Sequence, residues 1–308
     1  ADTISTAAGT IIFGEDVAAN INFIADGILQ VAGDLDGNVD NKSGTSNRGT
    51  LNLTGTGTVT GALGVAKSLK LVSAGATGYT TTFNNAINAT TVAIGGGSAS
   101  FAEGITGNVT VNGGSFTLAA GKNISGYIDA LAGGSSMTFS GSSTIGGLVG
   151  STTAFDLITA GAANSTVTFS SAVKAGTIEV ASGTVAFSDN ATGDINFTDD
   201  GVVQLAAGKT ITGYVDNKTG ADGAGTLTFA GASTVTKSIG VTNALKLITA
   251  AQSGAAAVFG ESVAAETINL GSGAVSFGGD ITGEVNVNNA GSVITIADGA
   301  KVTGNINN

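Results

Sequence analysis

The sequence predicts an all-β fold, a parallel β-helix (β-solenoid), elongated and built of ~18-residue coils in long tandem units of about 86–91 residues. Three observations lead there: self-similarity at a long period, a shorter sub-period inside it, and alternating apolar runs without any helical stripe. The long period shows in Leu118-Ala119-Ala120-Gly121-Lys122 through Gly126-Tyr127-Ile128-Asp129, which returns 87 positions later as Leu205-Ala206-Ala207-Gly208-Lys209 through Gly213-Tyr214-Val215-Asp216. Ile296-Ala297-Asp298-Gly299 through Val302-Thr303-Gly304-Asn305 repeats it again. A second block recurs as Leu69-Lys70-Leu71-Val72, Phe155-Asp156-Leu157-Ile158 and Leu245-Lys246-Leu247-Ile248. The sub-period is 18 residues, from Phe83 to Phe101, Phe169 to Phe187 and Phe259 to Phe277.

Taken in order, short runs such as Thr50-Leu51-Asn52-Leu53, Val109-Thr110-Val111, Thr184-Val185-Ala186-Phe187 and Val285-Asn286-Val287 alternate apolar and polar residues. That is the period-2 mark of a half-buried strand, and β-branched residues and Phe fill the strand sites. No window carries an i, i+3, i+4, i+7 stripe, so no substantial helix is predicted. Coils stacked at ~4.8 Å would give a rod on the order of 80 Å long, its interior filled by ladders of Phe, Val, Ile and Leu. One domain is expected over 1–308, with long repeats at approximately 9–78, 79–164, 165–254 and 255–308. Gly104, Gly107, Gly113, Gly114, Gly283 and Gly291 are expected at coil corners with positive φ. The polar stretches 41–49 and 217–225 are expected to protrude as loops. Propellers, sandwiches and transmembrane barrels fit less well, lacking respectively ~40-residue blades, longer strands and aromatic girdles. Only 3 Tyr and no Trp are present to form such girdles.

Composition narrows the chemistry. The 308 residues contain no Cys, His, Trp or Pro, 50 Gly, and 11% charged residues against about 25% in ordinary domains. Proline cannot donate to a ladder, and in a solenoid nearly every strand is central. A mean hydropathy of +0.35 sets the chain apart from disordered sequences. With 11 Lys and Arg against 22 Asp and Glu, the net charge of −11 disfavours nucleic acid as a partner. No apolar run is long enough for a membrane-spanning helix. No signal peptide is read, and Ala1-Asp2-Thr3 would suit the start of an exported mature chain.

Without His or Cys there is no imidazole base, no Ser-His or Cys-His nucleophile and no common zinc site. Gly95-Gly96-Gly97 reads as a turn, not a phosphate loop. Carboxylates are the remaining acid–base groups. Asp189, Asp194, Asp199 and Asp200 lie close in sequence, as glycosidase pairs would, yet all occupy turn-type positions. No catalytic or cofactor-binding residue is therefore assigned, and no enzyme is expected. Asp34-Leu35-Asp36-Gly37-Asn38-Val39-Asp40 places oxygen ligands at alternate positions and is the one candidate calcium loop, although its repeat equivalents lack those acids. Thr-x-Thr pairs at 80/82, 166/168, 226/228 and 234/236 suggest an ice-binding array, but their sequence spacing is irregular. Nine Asn-x-Ser/Thr triplets, Asn52 and Asn88 among them, follow from composition and imply no glycan.

Phrases such as Ile105-Thr106-Gly107-Asn108-Val109-Thr110-Val111-Asn112, Gly213-Tyr214-Val215-Asp216-Asn217, Phe83-Asn84-Asn85-Ala86-Ile87-Asn88-Ala89-Thr90-Thr91 and Gly304-Asn305-Ile306-Asn307-Asn308 resemble the repeats of rickettsial outer-membrane surface antigens. The resemblance covers most of 9–308. It implies the exported β-solenoid passenger of an autotransporter, active in surface-layer formation and host-cell adhesion, at the bacterial cell surface. It carries over no functional residue, because the shared motif is structural. No translocator barrel is read in the chain, which makes it a passenger fragment or an unrelated secreted solenoid. The expected function is a non-enzymatic surface structural protein or adhesin whose partners are other copies of itself or a host or neighbouring cell surface. A self-assembling surface-layer or filament subunit is the first alternative, suggested by a C-terminus that stops inside a repeat block. A polysaccharide-acting β-helix enzyme is the second.

Overall fold

The structure, a computed structural model, describes residues 2–288 and 291–308. Ala1, the expected mature start, lies outside the described residues. The chain gathers into two compact units, Ala1–Asp156 and Leu157–Asn308. Both are β-solenoids. Every strand pairing set out below is parallel, and among the described residues helix is confined to the single 3-10 turn Gln252–Gly254.

In the first unit each coil contributes to three ladders, and each ladder is one inward column of apolar side chains. Ile21, Val39, Leu63, Ile87, Ile105, Ile124 and Ile145 form one. Leu29, Leu51, Val72, Val92, Val109, Ile128 and Val149 form the second. Val59, Phe83, Phe101, Leu118 and Phe139 form the third. All of these side chains are buried. A residue of this kind removes apolar surface from water only because the coil before and the coil after cover it, which is why the coils repeat.

The second unit repeats the plan. Val167, Val185, Val203, Leu227, Ile248, Ile268 and Val285 make one ladder. Ile195, Val215, Ile239, Val263 and Ile281 make another. The third is Ile211, Val235, Phe259 and Phe277. Like side chains meet ring on ring where the columns hold Phe. Phe83 and Phe101 stack at 5.1 Å with 7° between planes, and Phe169 and Phe187 at 5.6 Å and 12°.

The 18-residue coil holds from Phe83 to Phe101, whereas Leu35 pairs with Val59 and Val59 with Phe83, each 24 positions on. The surplus is accommodated at corners and loops, leaving the ladders in register. Gly107 and Gly283 sit inside the strands Ile105–Asn112 and Ile281–Val287, where the chain bends from one face to the next, and take φ of 132° and 134°. Gly113 also has positive φ, at 75°. Gly104 and Gly114 do not share that conformation; their need for glycine is close approach. A Cβ on Gly104 would stand 3.0 Å from the Asn123 carbonyl oxygen, and one on Gly114 would collide with the carbonyls of Gly95 and Gly97. The parallel stacking of adjacent backbones, not turn geometry, excludes a side chain at Gly114 and crowds one at Gly104. Around Gly291 a Cβ would meet nothing, so no crowding calls for glycine at that position.

Candidate interaction loops

At coil corners the ladder of backbone hydrogen bonds is interrupted, and Asp and Asn side chains take the free N–H groups of the following coil. Asp16 Oδ1 accepts from Asp34 N at 2.8 Å, Asp34 Oδ1 from Thr58 N at 2.7 Å, and Asn38 Oδ1 from Ala62 N at 2.8 Å. Asn123 serves Thr144 N, Asp194 serves Tyr214 N, and Asp280 serves Lys301 N in the same way. These bonds are solvent-exposed, where water would otherwise serve the donors, so the short side chains act as modest structural caps that fix one corner against the next.

This pattern accounts for the acids singled out in the sequence. In 34–40 the oxygens fan out: Asp36 Oδ1 accepts from Thr60 Oγ1, and Asp40 Oδ1 from the backbone N–H groups of Asn41 and Ala66. They do not converge. Among the described residues, no group of three or more His, Cys, Asp or Glu is placed to share a metal ion. Asp189 binds Lys209 Nζ at 2.7 Å and is held below its ordinary pKa, chiefly by that hydrogen bond. Asp199 Oδ1 accepts from Asp200 N, and Asp200 faces Gly225 N and Lys246 Nζ. Each of the four is thus engaged with its own local donor.

The two expected loops share one construction. Asn41 and Asn217 are fully buried, and each fastens a loop to the solenoid wall. Asn41 Nδ2 donates to the carbonyls of Thr45 and Ser68, and its Oδ1 accepts from Ser43 N and Ser43 Oγ. Asn217 Nδ2 donates to the carbonyls of Ala221 and Ala244, and its Oδ1 accepts from Thr219 N and Thr219 Oγ1. Beneath them Asp40 pairs with Lys42, and Asp216 with Lys218, both at 2.6 Å. Burial works to raise the Asp216 carboxyl, but hydrogen bonds from Lys218 and from the Thr242 side chain and backbone outweigh it and hold it low. Asp40 is lowered by the same balance, burial opposing Lys42, Ala66 and Asn41. Each loop closes at a glycine of positive φ, Gly49 (82°) and Gly225 (83°), lying against the rings of Phe23 and Phe197. Asp26 and Asp200 receive the N–H of Gly49 and Gly225 and pair with Lys70 and Lys246.

Between these anchors the loop backbone still bonds the next coil, Asn47 N to the Ser68 carbonyl and Gly223 N to the Ala244 carbonyl, while most loop residues face solvent. Lys42, Gly44, Thr45, Ser46, Asn47 and Arg48 are exposed, as are Lys218, Thr219, Gly220, Ala221 and Asp222. Reading the sequence does not single out Asn41 or Asn217, although both begin an Asn-x-Ser/Thr triplet. The signal is there to be found: Val39-Asp40-Asn41-Lys42-Ser43-Gly44 matches Val215-Asp216-Asn217-Lys218-Thr219-Gly220, while the shorter corner at Ile128-Asp129-Ala130 has alanine at that place.

The threonine pairs also look different in space. Thr80 and Thr82 register with Ser98 and Ser100, then Ser115 and Thr117, then Ser136 and Thr138, giving two outward hydroxyl columns on one face of the first unit. Coils of unequal length hide this order in the sequence, and counting serine restores it. In the second unit Thr226 registers with Val202 and Leu247, which interrupts the column on that ladder. Surface depressions exist in both units, one of about 500 Å³ beside Glu103, Lys122 and Asn123 and one of about 280 Å³ beside Tyr214, Asp216 and Lys218.

Stacked parallel coils, an interior of apolar ladders and loops stapled to the outside define a β-solenoid protein. Its sequence is 35% identical over 279 residues to outer membrane protein A of Rickettsia rickettsii. The alignment covers 89% of this chain and 10% of that protein, so the chain spans about a tenth of the relative's length. The similarity to rickettsial outer-membrane surface antigens seen in the repeat phrases is borne out. No family model and no solved structure matches the chain. Among the described residues, no helix is long and apolar enough to cross a membrane.

Proposed function

We propose that this chain is a non-enzymatic segment of a bacterial cell-surface protein, displayed outward from the outer membrane as a structural element or adhesin. The supporting observation is the match to a rickettsial outer membrane protein along 89% of a chain whose fold is a β-solenoid. The solenoid supplies a wall of fixed register, and its loops and hydroxyl face supply the contacts. Individually weak contacts on such a wall add by multivalency when the opposing surface carries many copies of a ligand. The single domain over 1–308 expected from the repeats belongs to the same proposal, and one unfolding transition common to both units is its signature.

Two measurements test display and adhesion. Antibodies against the folded chain should label intact cells that make the protein, and external trypsin should remove the label; labelling only after permeabilisation would refute surface display. Beads coated with the purified chain should adhere to host cells well above albumin-coated beads. Equal adhesion would remove the adhesin role and leave a structural one.

A further inference from the structure

We propose that the loop 42–48, with Lys67 and Lys70 beside it, is a binding site for a sulfated polysaccharide. This rests on the surface-display reading and names what the displayed surface holds. The chain carries 11 positive charges against 22 negative ones, yet four of the 11, Lys42, Arg48, Lys67 and Lys70, fall at this one loop. Hydrogen bonds bring them together. Asn47 N donates to the Ser68 carbonyl, and Ser68 Oγ to Asn47 Oδ1, which sets Arg48 and Lys67 each one residue from that junction. Two carboxylates lie in the same place, Asp26 paired with Lys70 and Asp40 paired with Lys42. Among the described residues Arg48 and Lys67 form no close ion pair, Arg48 only adding to the field that lowers the Asp26 pKa behind Lys70 and Gly49, so the local balance is four cations to two anions.

The companion loop shows that the fold does not impose this sign. With the same asparagine staple and the same two ion pairs, the second unit has Ala224 in place of Arg48 and Asn243 in place of Lys67. It adds Asp222 in place of Ser46 and Glu266 in place of Thr90, and a Cβ on Gly223 would stand 2.5 Å from the Glu266 carboxylate. There the balance is two cations to four anions. One scaffold thus carries opposite local charges, and neither Arg48, which acts on Asp26 only through space, nor Lys67 makes an ion pair that holds the loop.

The ligand class follows from the side chains. Arg48 is the only arginine of the chain and sits exposed at the loop. A guanidinium offers a planar fork of donors that fits sulfate or phosphate oxygens two at a time, and lysines add point charges around it. The net charge of −11 does not prevent this, because charges beyond about 8 Å are largely screened at physiological ionic strength. A repeating polyanion also suits a loop of modest charge, since its many sulfates rebind one after another. On a cell surface that description fits sulfated glycan chains.

The experiment uses the full chain and immobilised heparin as the probe. The parent should be retained at low salt and released as salt rises. R48A/K67A should bind about tenfold more weakly or worse, with the salt slope of log affinity lowered by about one to two, while its denaturation midpoint stays unchanged. The reciprocal variant D222S/A224R should gain retention. Equal release of parent and R48A/K67A would overturn the proposal, as would equal retention on an unsulfated polysaccharide, or binding to phosphatidylserine vesicles but not to heparin. If coated beads still adhere to cells while heparin retention ignores R48A/K67A, this proposal fails and the surface reading stands. If the chain neither adheres nor is retained, this proposal and the adhesin role fail together, and surface labelling of intact cells still decides display.

Discussion

At the scale of single residues, the structure depends on small polar side chains standing in for backbone partners. Asn217 is the clearest case, since its amide satisfies two carbonyls and its oxygen two donors of one loop. Replacing it by alanine leaves buried polar groups unpaired, and the expected cost is about 1–3 kcal/mol. The effect should be local: faster hydrogen exchange across residues 218–224 and faster tryptic cutting after Lys218, with the rest of the unit protected. Unchanged exchange in Asn217→Ala would show that the loop holds itself. Asp216 gives a pH prediction. Its folded pKa is lowered, so its contribution is full above the unfolded value of about 3.9 and is lost as pH falls through the folded value. The denaturation midpoint should therefore drop below about pH 4 in the parent and drop less steeply in Asp216→Asn. Neither asparagine is legible from a single loop; each needs comparison of the two loops with the alanine at 130.

Strands and coils are legible because their signal is redundant. Each inward column repeats the same residue class in every coil, and period-2 alternation identifies the buried half. Less legible is what varies between coils. Coils of 18, 17 and 21 residues separate Thr80, Ser98, Ser115 and Ser136, so sequence spacing alone scatters a column that the ladder aligns. The acids are half legible: Asp189, Asp199 and Asp200 do lie at bends, whereas Asp194, also expected at a turn, stands inside the strand Ala191–Phe197, and its partner, the Tyr214 N–H one coil away, depends on register. Register also sets the energetics of an element. Phe101 is buried between Phe83, at 5.1 Å, and Phe116, at 6.0 Å. Phe101→Ala should cost about 3–5 kcal/mol, seen as a lower urea midpoint, and a loss under about 1 kcal/mol would mean the coils close over the cavity. Gly107→Ala places a side chain at φ 132° against the Ala89 carbonyl, and the bend of strand Ile105–Asn112 should give way, broadening amide resonances on both sides of it.

For each unit as a whole, backbone ladders join only adjacent coils and side chains reach at most one coil further, as Asp26 does to Lys70, so distant defects within a unit should not feel one another. The losses from Phe23→Ala and Phe139→Ala, both in the first unit, should add within about 0.5 kcal/mol in the double variant, and a larger departure would reveal coupling beyond nearby coils. The asparagine staple has a further consequence, for heredity. Because every coil offers the same faces, an exchange that removes or adds whole coils would rejoin each strand to a face of its own kind. A change confined to a stapled tip leaves the wall untouched altogether. Such a gene can lengthen, shorten or recharge what it shows to its surroundings in single steps, each product still folded, so that whatever recognises the tips has a target able to move while its support stays still.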